Sequence, residues 1–278
     1  SGDKSNWISA LRKFPVVSEF PAGLVLSSSN SSARLLLRDG SEVSVGPSAA
    51  DGTGKSLSGA ISAGDVIRLR PAGKSFVLAQ IPKAQAALVS LQPEDGALRA
   101  IVGGFSYNTS GFNRATQAKR QPGSSFKPFV YTAAFERGYS PSSVVLDAPV
   151  VFKDRNGNVW RPQNDKGGFK GPMRLREALV QSRNLVSVRL LDGIGVNFAR
   201  DYITRFGFSK ESLPPNLSMA LGTASLTPIS VARGYTLFAN GGYLIEPYFI
   251  QTVTNPDGVV VGYAHPKRAC SQCPERLA

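Results

Sequence analysis

The spacing of apolar residues changes character near Pro82, and this change divides the chain into two parts. Upstream, short apolar or alternating runs follow one another: GLVLS (23–27), ARLLLRDG (33–40), SEVSVG (41–46), DVIRLR (65–70) and SFVLAQIP (75–82). Gly, Ser, Asp and Pro separate them, which is the pattern of half-buried strands joined by turns. Five such strands predict a small all-β domain over residues 1–82, a barrel like the oligonucleotide/oligosaccharide-binding (OB) fold. One helix precedes them: NWISALRKF (6–14) puts Trp7, Ala10, Leu11 and Phe14 on one face, and Pro15 ends it. The stretch PSAADGTGKSLSG (47–59) follows neither period and reads as a flexible insertion.

Residues 83–278 alternate strands with helices. AALVSLQPEDGALRAIVGG (86–104) is a hairpin of two apolar strands about a Pro-Glu-Asp-Gly turn. Helices read at FVYTAAFERG (129–138), RLREALVQ (174–181), LVSVRLLDG (185–193), NFARDYITRFG (197–207) and TPISVARGYTLFANGG (227–242). A second hairpin, YLIEPYFIQTVTNPDGVVVGYA (243–264), turns at Asn-Pro-Asp-Gly. Strands, then helices, then strands predict a mixed sheet with helices packed on it, an α/β (α+β) domain. With 278 residues, 42% of them hydrophobic, the chain can bury one large core or two smaller ones, and two domains are expected.

Charge and cysteines exclude several classes. The 32 basic residues outnumber 19 acidic ones, an excess that would suit an anionic partner. It is spread along the chain without a block of like charge, a zinc-finger spacing or an RNA-binding aromatic signature, so no nucleic-acid partner is expected. Cys270 and Cys273 form a C-x-x-C pair which, with His265, makes three candidate ligands where a structural zinc site needs four. A local disulfide or two inert thiols are expected there, with neither metal nor cofactor. No apolar run approaches the ~18 residues of a membrane-spanning helix.

The chemistry concentrates at RQPGSSFKPF (120–129). The single histidine, His265, lies beside Pro266 and makes a Ser-His-Asp triad improbable, which leaves lysine as the best base for an acyl transfer. Ser124 and Lys127 are three residues apart, so on a helix they share a face and the lysine stem can reach the hydroxyl. Pro128 fits a first helical turn, where its missing N–H is not needed. There the helix dipole disfavours a cation, burial lowers the lysine pKa further, and the Ser124 N–H can face a developing oxyanion. Spacing alone leaves Ser124 open to being a helix N-cap, since Ser-x-x-Lys also occurs at Ser1–Lys4. Ser182-Arg183-Asn184 likewise reads as a helix cap and a turn, and Ser-x-Asn recurs at Ser28 and Ser106.

The flanking blocks add a resemblance. FNRATQAKRQPGSSFKPFVYTAAFERG (112–138), REALVQSRNLVSVRL (176–190) and MALGTASLTPISVARGYTLFANGG (219–242) resemble the transpeptidase domain of class A penicillin-binding proteins. Ser-x-x-Lys followed by a Ser-x-Asn motif belongs to the established signature of that superfamily. The resemblance covers about residues 86–264, and the upstream barrel and trailing C-x-x-C resemble the 1A type. It implies a penicillin-binding/serine β-lactamase-like fold over 83–278. It further implies acylation of Ser124, proton transfer to Lys127, a proton relay through Ser182 and a grip on the substrate peptide group by Asn184. Gly222, Thr223 and Ser225 fall in the third block, with no chemical role assigned.

The implied reaction cross-links peptidoglycan stem peptides, with a lipid-linked precursor as source and β-lactams as covalent inhibitors. The implied parent is a bifunctional glycosyltransferase anchored at the periplasmic face of the bacterial inner membrane, with residues 1–82 available to a cell-wall regulatory protein. The family's third motif, Lys-Thr-Gly, occurs nowhere in the 278 residues. We therefore expect an internal fragment that acylates slowly or not at all by itself. A silent glycan- or regulator-binding module and a β-lactam-sensing receptor domain remain as other readings.

Overall fold

The computed structural model describes residues 3–15, 17, 19–153, 157 and 159–269, so Cys270 and Cys273 lie outside the described residues. Two compact units emerge, one from residues 1–86 and 104–113, the other from 87–103 and 114 onward.

Leu35, Leu36 and Leu37 explain the first unit. Successive side chains of a strand point to opposite faces, yet all three are buried, so both faces of this strand are covered. The elements are α1 (Lys4–Arg12), β1 (Ala22–Ser28), β2 (Ala33–Leu37), β3 (Glu42–Val45), α2 (Leu57–Ala60), β4 (Val66–Ala72) and β5 (Ser75–Ala79). The strands form one antiparallel sheet in the order β3-β2-β1-β4-β5. Leu35 and Leu37 join Val25, Val45, Leu57, Ile61 and Leu69 in the main core, while Leu36 packs with Leu11 of α1 and Ala22 on the other face. Asp3 caps α1 by accepting from the Ser5 N–H.

The stretch expected to be a flexible insertion is ordered. Residues Pro47–Thr53 form a 3-10 helix that runs on to α2, and Ala49, Ala50 and Leu57 close the open side of the core. Its few apolar residues suffice because Val25, Leu35, Leu37, Val45 and Leu69 of the sheet supply the rest of that core.

The second unit is built around helices with little polar surface. It contains β6 (Leu88–Leu91), β7 (Leu98–Val102), α3 (Lys127–Glu136), β8 (Val144–Asp147), β9 (Phe152–Lys153), β10 (Val159–Trp160), β11 (Gly171–Arg174), α4 (Leu175–Val180), α5 (Asn184–Ile194), α6 (Val196–Ile203), α7 (Pro228–Ala239), β12 (Thr252–Thr254) and β13 (Val260–Tyr263). Helix α5 buries Leu185, Val186, Ser187, Val188, Leu190, Leu191 and Ile194, which leaves it almost no solvent face. Helix α3 is also buried nearly all round, as expected of a helix without an amphipathic stripe. Phe129 of α3 meets Phe206 and Phe208 edge-on at 5.0 Å and Tyr235 of α7 at 5.3 Å between ring centres. Gly234 lets α7 approach that cluster, since a Cβ there would lie 2.7 Å from Phe208 Cζ.

Strands in this unit pair two by two: β6 with β7, β8 with β11, β9 with β10 and β12 with β13. The two hairpins expected from the sequence are present, and one parallel bridge, Ala97 to Tyr248, ties the region of the first to that of the second. The second hairpin is shorter than its apolar run, with pairing confined to 252–254 and 260–263. The pair β8–β11 spans a long loop and brings Asp147 opposite Gly171, beside α4 and α5.

Candidate active site

Ser124 lies in a 3-10 turn (Gly123–Phe126) that leads directly into α3, and the Lys127 N–H donates to Ser124 O. The turn is held from both sides. The Arg120 and Leu226 backbones exchange hydrogen bonds at 2.9 and 3.1 Å, and the Gly123 N–H donates to Gly222 O at 3.1 Å. Gly222 has φ 76°, and a Cβ there would lie 1.9 Å from Gly123 O, so the close approach of the two backbones requires glycine. Tyr235 donates its hydroxyl to Ser125 O at 2.6 Å. Ser125 donates to Pro122 O, so Ser125 commits its hydroxyl to the turn, while Ser124 is exposed on the cavity wall. The residue before α3 is Phe126, which excludes the N-cap reading of Ser124.

Lys127 is 1% exposed, in the first turn of a buried helix. Its ammonium donates to Ser182 O at 2.7 Å, Ser182 Oγ at 2.9 Å and Asn184 Oδ1 at 2.7 Å. Ser124, Ser182 and Asn184 thus line one cavity of about 410 Å³, and Lys127 is bonded to Ser182 and Asn184 rather than to Ser124. Burial pulls the Lys127 pKa from 10.5 down to about 8, against an upward pull from the Asp165 carboxylate. At pH 7 roughly a tenth of the side chain is then neutral and able to take a proton.

The 182–184 turn owes its shape to the end of α4. The Ser182 N–H donates to Leu179 O and the Arg183 N–H to Ala178 O, the paired bonds of a Schellman stop. The residue after the C-cap of such a stop adopts left-handed geometry and is usually glycine. Here it is Ser182, at φ 53°, the one non-glycine residue with positive φ among the described residues. Such a placement costs about 1–2 kcal/mol, and it turns both the carbonyl and the hydroxyl of Ser182 towards Lys127. Asn184 opens α5 rather than closing a turn. Its Nδ2 donates to Gln163 O, which fixes the amide with Oδ1 facing the lysine.

Three polar residues behind this turn were not singled out from the sequence. Asn164 Oδ1 accepts from the N–H groups of Asn184 and Leu185, capping α5 from a distant loop. Its Nδ2 donates to Asp147 Oδ1. Arg183, the middle residue of Ser-x-Asn, is buried and donates Nε to Asp147 Oδ2 at 2.8 Å and Nη2 to Gly168 O at 2.7 Å. Burial raises the Asp147 pKa, but hydrogen bonds from Asn164, Arg183 and the Lys170 N–H, with the Arg183 charge, outweigh it and hold the carboxyl below its usual range. The pattern "Asn or Asp in a loop" carries no sign of burial, which is why these residues escaped notice.

Such a site can perform nucleophilic acyl chemistry: an exposed hydroxyl at a helix start, a buried lysine with a lowered pKa, a second hydroxyl bonded to that lysine and an oriented amide.

Comparisons with known proteins agree with this geometry. Residues 86–272 match the penicillin-binding protein transpeptidase domain and residues 1–84 the penicillin-binding protein OB-like domain. Penicillin-binding protein 1A of Pseudomonas aeruginosa is 53% identical over 74% of this chain and 25% of its own length. That of Escherichia coli is 40% identical over 98% of this chain and 33% of its own length. The chain thus spans a quarter to a third of these relatives. The structure of penicillin-binding protein 1A from Haemophilus influenzae superposes with a TM-score of 0.87 at 39% identity, covering 97% of this chain and 40% of the other. PonA1 from Mycobacterium tuberculosis in complex with penicillin V does so with a TM-score of 0.55 at 29% identity, over 65% of this chain and 51% of the other. Two matched domains in the same order, over nearly the whole length, make this chain a member of the penicillin-binding protein transpeptidase family.

Proposed function

We propose that the chain carries the acyl-enzyme centre of a peptidoglycan D,D-transpeptidase. Ser124 Oγ attacks the carbonyl of the penultimate D-Ala of a stem peptide, and Lys127 takes the proton. The terminal D-Ala leaves with a proton relayed through Ser182, and an amine of a neighbouring stem then accepts the acyl group. Asn184 holds the substrate's peptide group. β-Lactams acylate the same serine, a reading supported by the complex of PonA1 with penicillin V. The observation that carries the proposal is the buried Lys127, hydrogen-bonded at once to the serine and the asparagine of Ser-x-Asn.

The larger protein is proposed to add a glycosyltransferase using the lipid-linked precursor, to be anchored at the periplasmic face of the inner membrane, and to meet a regulatory protein through residues 1–82. The strip of chemistry that Lys-Thr-Gly supplies in the family has no counterpart in these 278 residues. The segment alone is therefore proposed to acylate slowly or not at all, because one missing oxyanion donor is worth about 100-fold or more in rate.

Fluorescent penicillin applied to the full-length protein containing this segment tests the reading. Labelling should vanish in Ser124→Ala and fall by about 100-fold or more in Lys127→Ala. The wild-type rate should rise about tenfold between pH 7 and pH 9 as a lysine with a pKa of about 8 loses its proton. Undiminished labelling of Ser124→Ala, or a flat profile over that range, would refute it.

A further inference from the structure

We propose that Asp147 is a positioning residue for this site, holding the Ser182-Arg183-Asn184 turn in the shape that sets its oxygens on Lys127. The proposal rests on the assignment of Ser124 and Lys127 made above.

Asp147 ends β8 and is fully buried. Each of its oxygens has a distinct task. Oδ1 accepts from Asn164, whose own carbonyl oxygen receives the first two N–H groups of α5. Oδ2 accepts from Arg183 in the middle of the turn and from the Lys170 N–H at the end of the loop that walls the cavity. One carboxylate therefore grips the turn at its centre, the helix that follows it, and the facing loop.

Burying two opposite charges is not stabilising in itself, because desolvation offsets most of their attraction. What the Asp147–Arg183 pair adds is geometry, at the point where geometry is opposed by the backbone: Ser182 adopts a left-handed conformation that serine does not favour. With the carboxylate replaced by an amide, a single oxygen remains for the three donors of Asn164, Lys170 and Arg183, and the amide NH2 meets a donor instead of accepting from it. The turn can then relax, and Lys127 loses oriented acceptors. The charged groups around Lys127 are Asp165, whose carboxylate acts on it, and Lys166 and Arg183, which line the same cavity. Asp147→Asn leaves all three in place but removes the charge that balances Arg183.

The test is the rate of acylation by fluorescent penicillin, from pH 6 to pH 10, in the full-length protein. Asp147→Asn is expected to lower the plateau rate above pH 9 at least tenfold, because the turn no longer sets the Ser182 and Asn184 oxygens on the lysine, and to move the rise in rate to lower pH, because the Lys127 ammonium loses acceptors and faces an Arg183 charge no longer balanced. Leu213→Ala, a wholly buried core position outside the turn and its partners, serves as the stability control. It is expected to lower Tm without moving the profile. Arg183→Lys keeps the charge but loses the fork that meets both Asp147 and Gly168, and is expected to shift the profile the same way by a smaller amount. It carries the test if Asp147→Asn does not fold. Folded Asp147→Asn or Arg183→Lys with the wild-type rate and profile would overturn the proposal, as would a rate loss equalled by Leu213→Ala with the profile unmoved. Failure of the underlying assignment is distinguishable, because it would appear in the wild type as no rise near pH 8, or in Lys127→Ala as undiminished labelling.

Discussion

Replacing Lys127 by methionine should stabilise the protein while abolishing its acylation. Each pKa unit corresponds to ~1.4 kcal/mol, so lowering the lysine from 10.5 to about 8 means that burial of the charged form costs about 3 kcal/mol at neutral pH. Methionine fills the space of the lysine stem without a charge. Its three former acceptors, on Ser182 and Asn184, face a cavity from which water can replace the ammonium. Allowing about 1 kcal/mol for the lost hydrogen bonds leaves a net gain of roughly 2 kcal/mol for Lys127→Met at pH 7. The pH dependence supplies the sign. A lysine whose folded pKa is depressed binds fewer protons than in the unfolded chain between pH 8 and pH 10.5, so wild-type stability rises with pH across that window. The advantage of Lys127→Met should therefore be full below pH 8 and shrink steadily above it. Tyr131, whose pKa burial raises to about 12, works the other way above pH 10, but it is common to both proteins and cancels in the difference. Urea unfolding of both proteins at pH 7, 8, 9 and 10 measures this. A variant less stable than wild type at pH 7, or a difference that does not change from pH 8 to pH 10, would refute the reasoning.

Two further substitutions test the packing behind the site. Gly222→Ala places a methyl within 1.9 Å of Gly123 O at a positive φ, so it should cost roughly 2–4 kcal/mol in urea unfolding and lower the acylation rate with it. Gly234→Ala meets Phe208 Cζ at 2.7 Å and the Phe129 ring at 3.2 Å, and should cost about 1–3 kcal/mol while leaving the pH of half-maximal acylation unchanged.

Legibility in the sequence followed how local each determinant was. Strands β1 to β5 could be read because apolar residues and turn residues alternate within a few positions. Helices α3 to α7 could be read because each contains its own apolar surface and all but α4, which ends on Ser182, are followed by a glycine. Residues 47–59 misled because Ala49, Ala50 and Leu57 look too few to form a core, although the sheet supplies the rest of it. Ser124 and Lys127 were legible as a spacing, whereas the partners of Lys127 lie 55 and 57 residues away. Asp147, Asn164 and Arg183 were illegible for the same reason. Each is an ordinary polar residue in its own segment, and only the pairing of β8 with β11 buries them together.

The junction between Gly123 and Gly222 has a consequence for synthesis. The backbone that braces the turn at Ser124 is supplied about a hundred residues later in the chain. At ~5–20 residues per second a ribosome needs roughly 5–20 s to make that stretch. Through that interval Ser124 is already made but lacks its brace, so the proposed reactive centre takes shape only after α3, α4 and α5 have been synthesised. Maturation of the turn is thereby tied to completion of the core, and a truncated or stalled product would leave the turn at Ser124 unbraced however well its earlier helices fold.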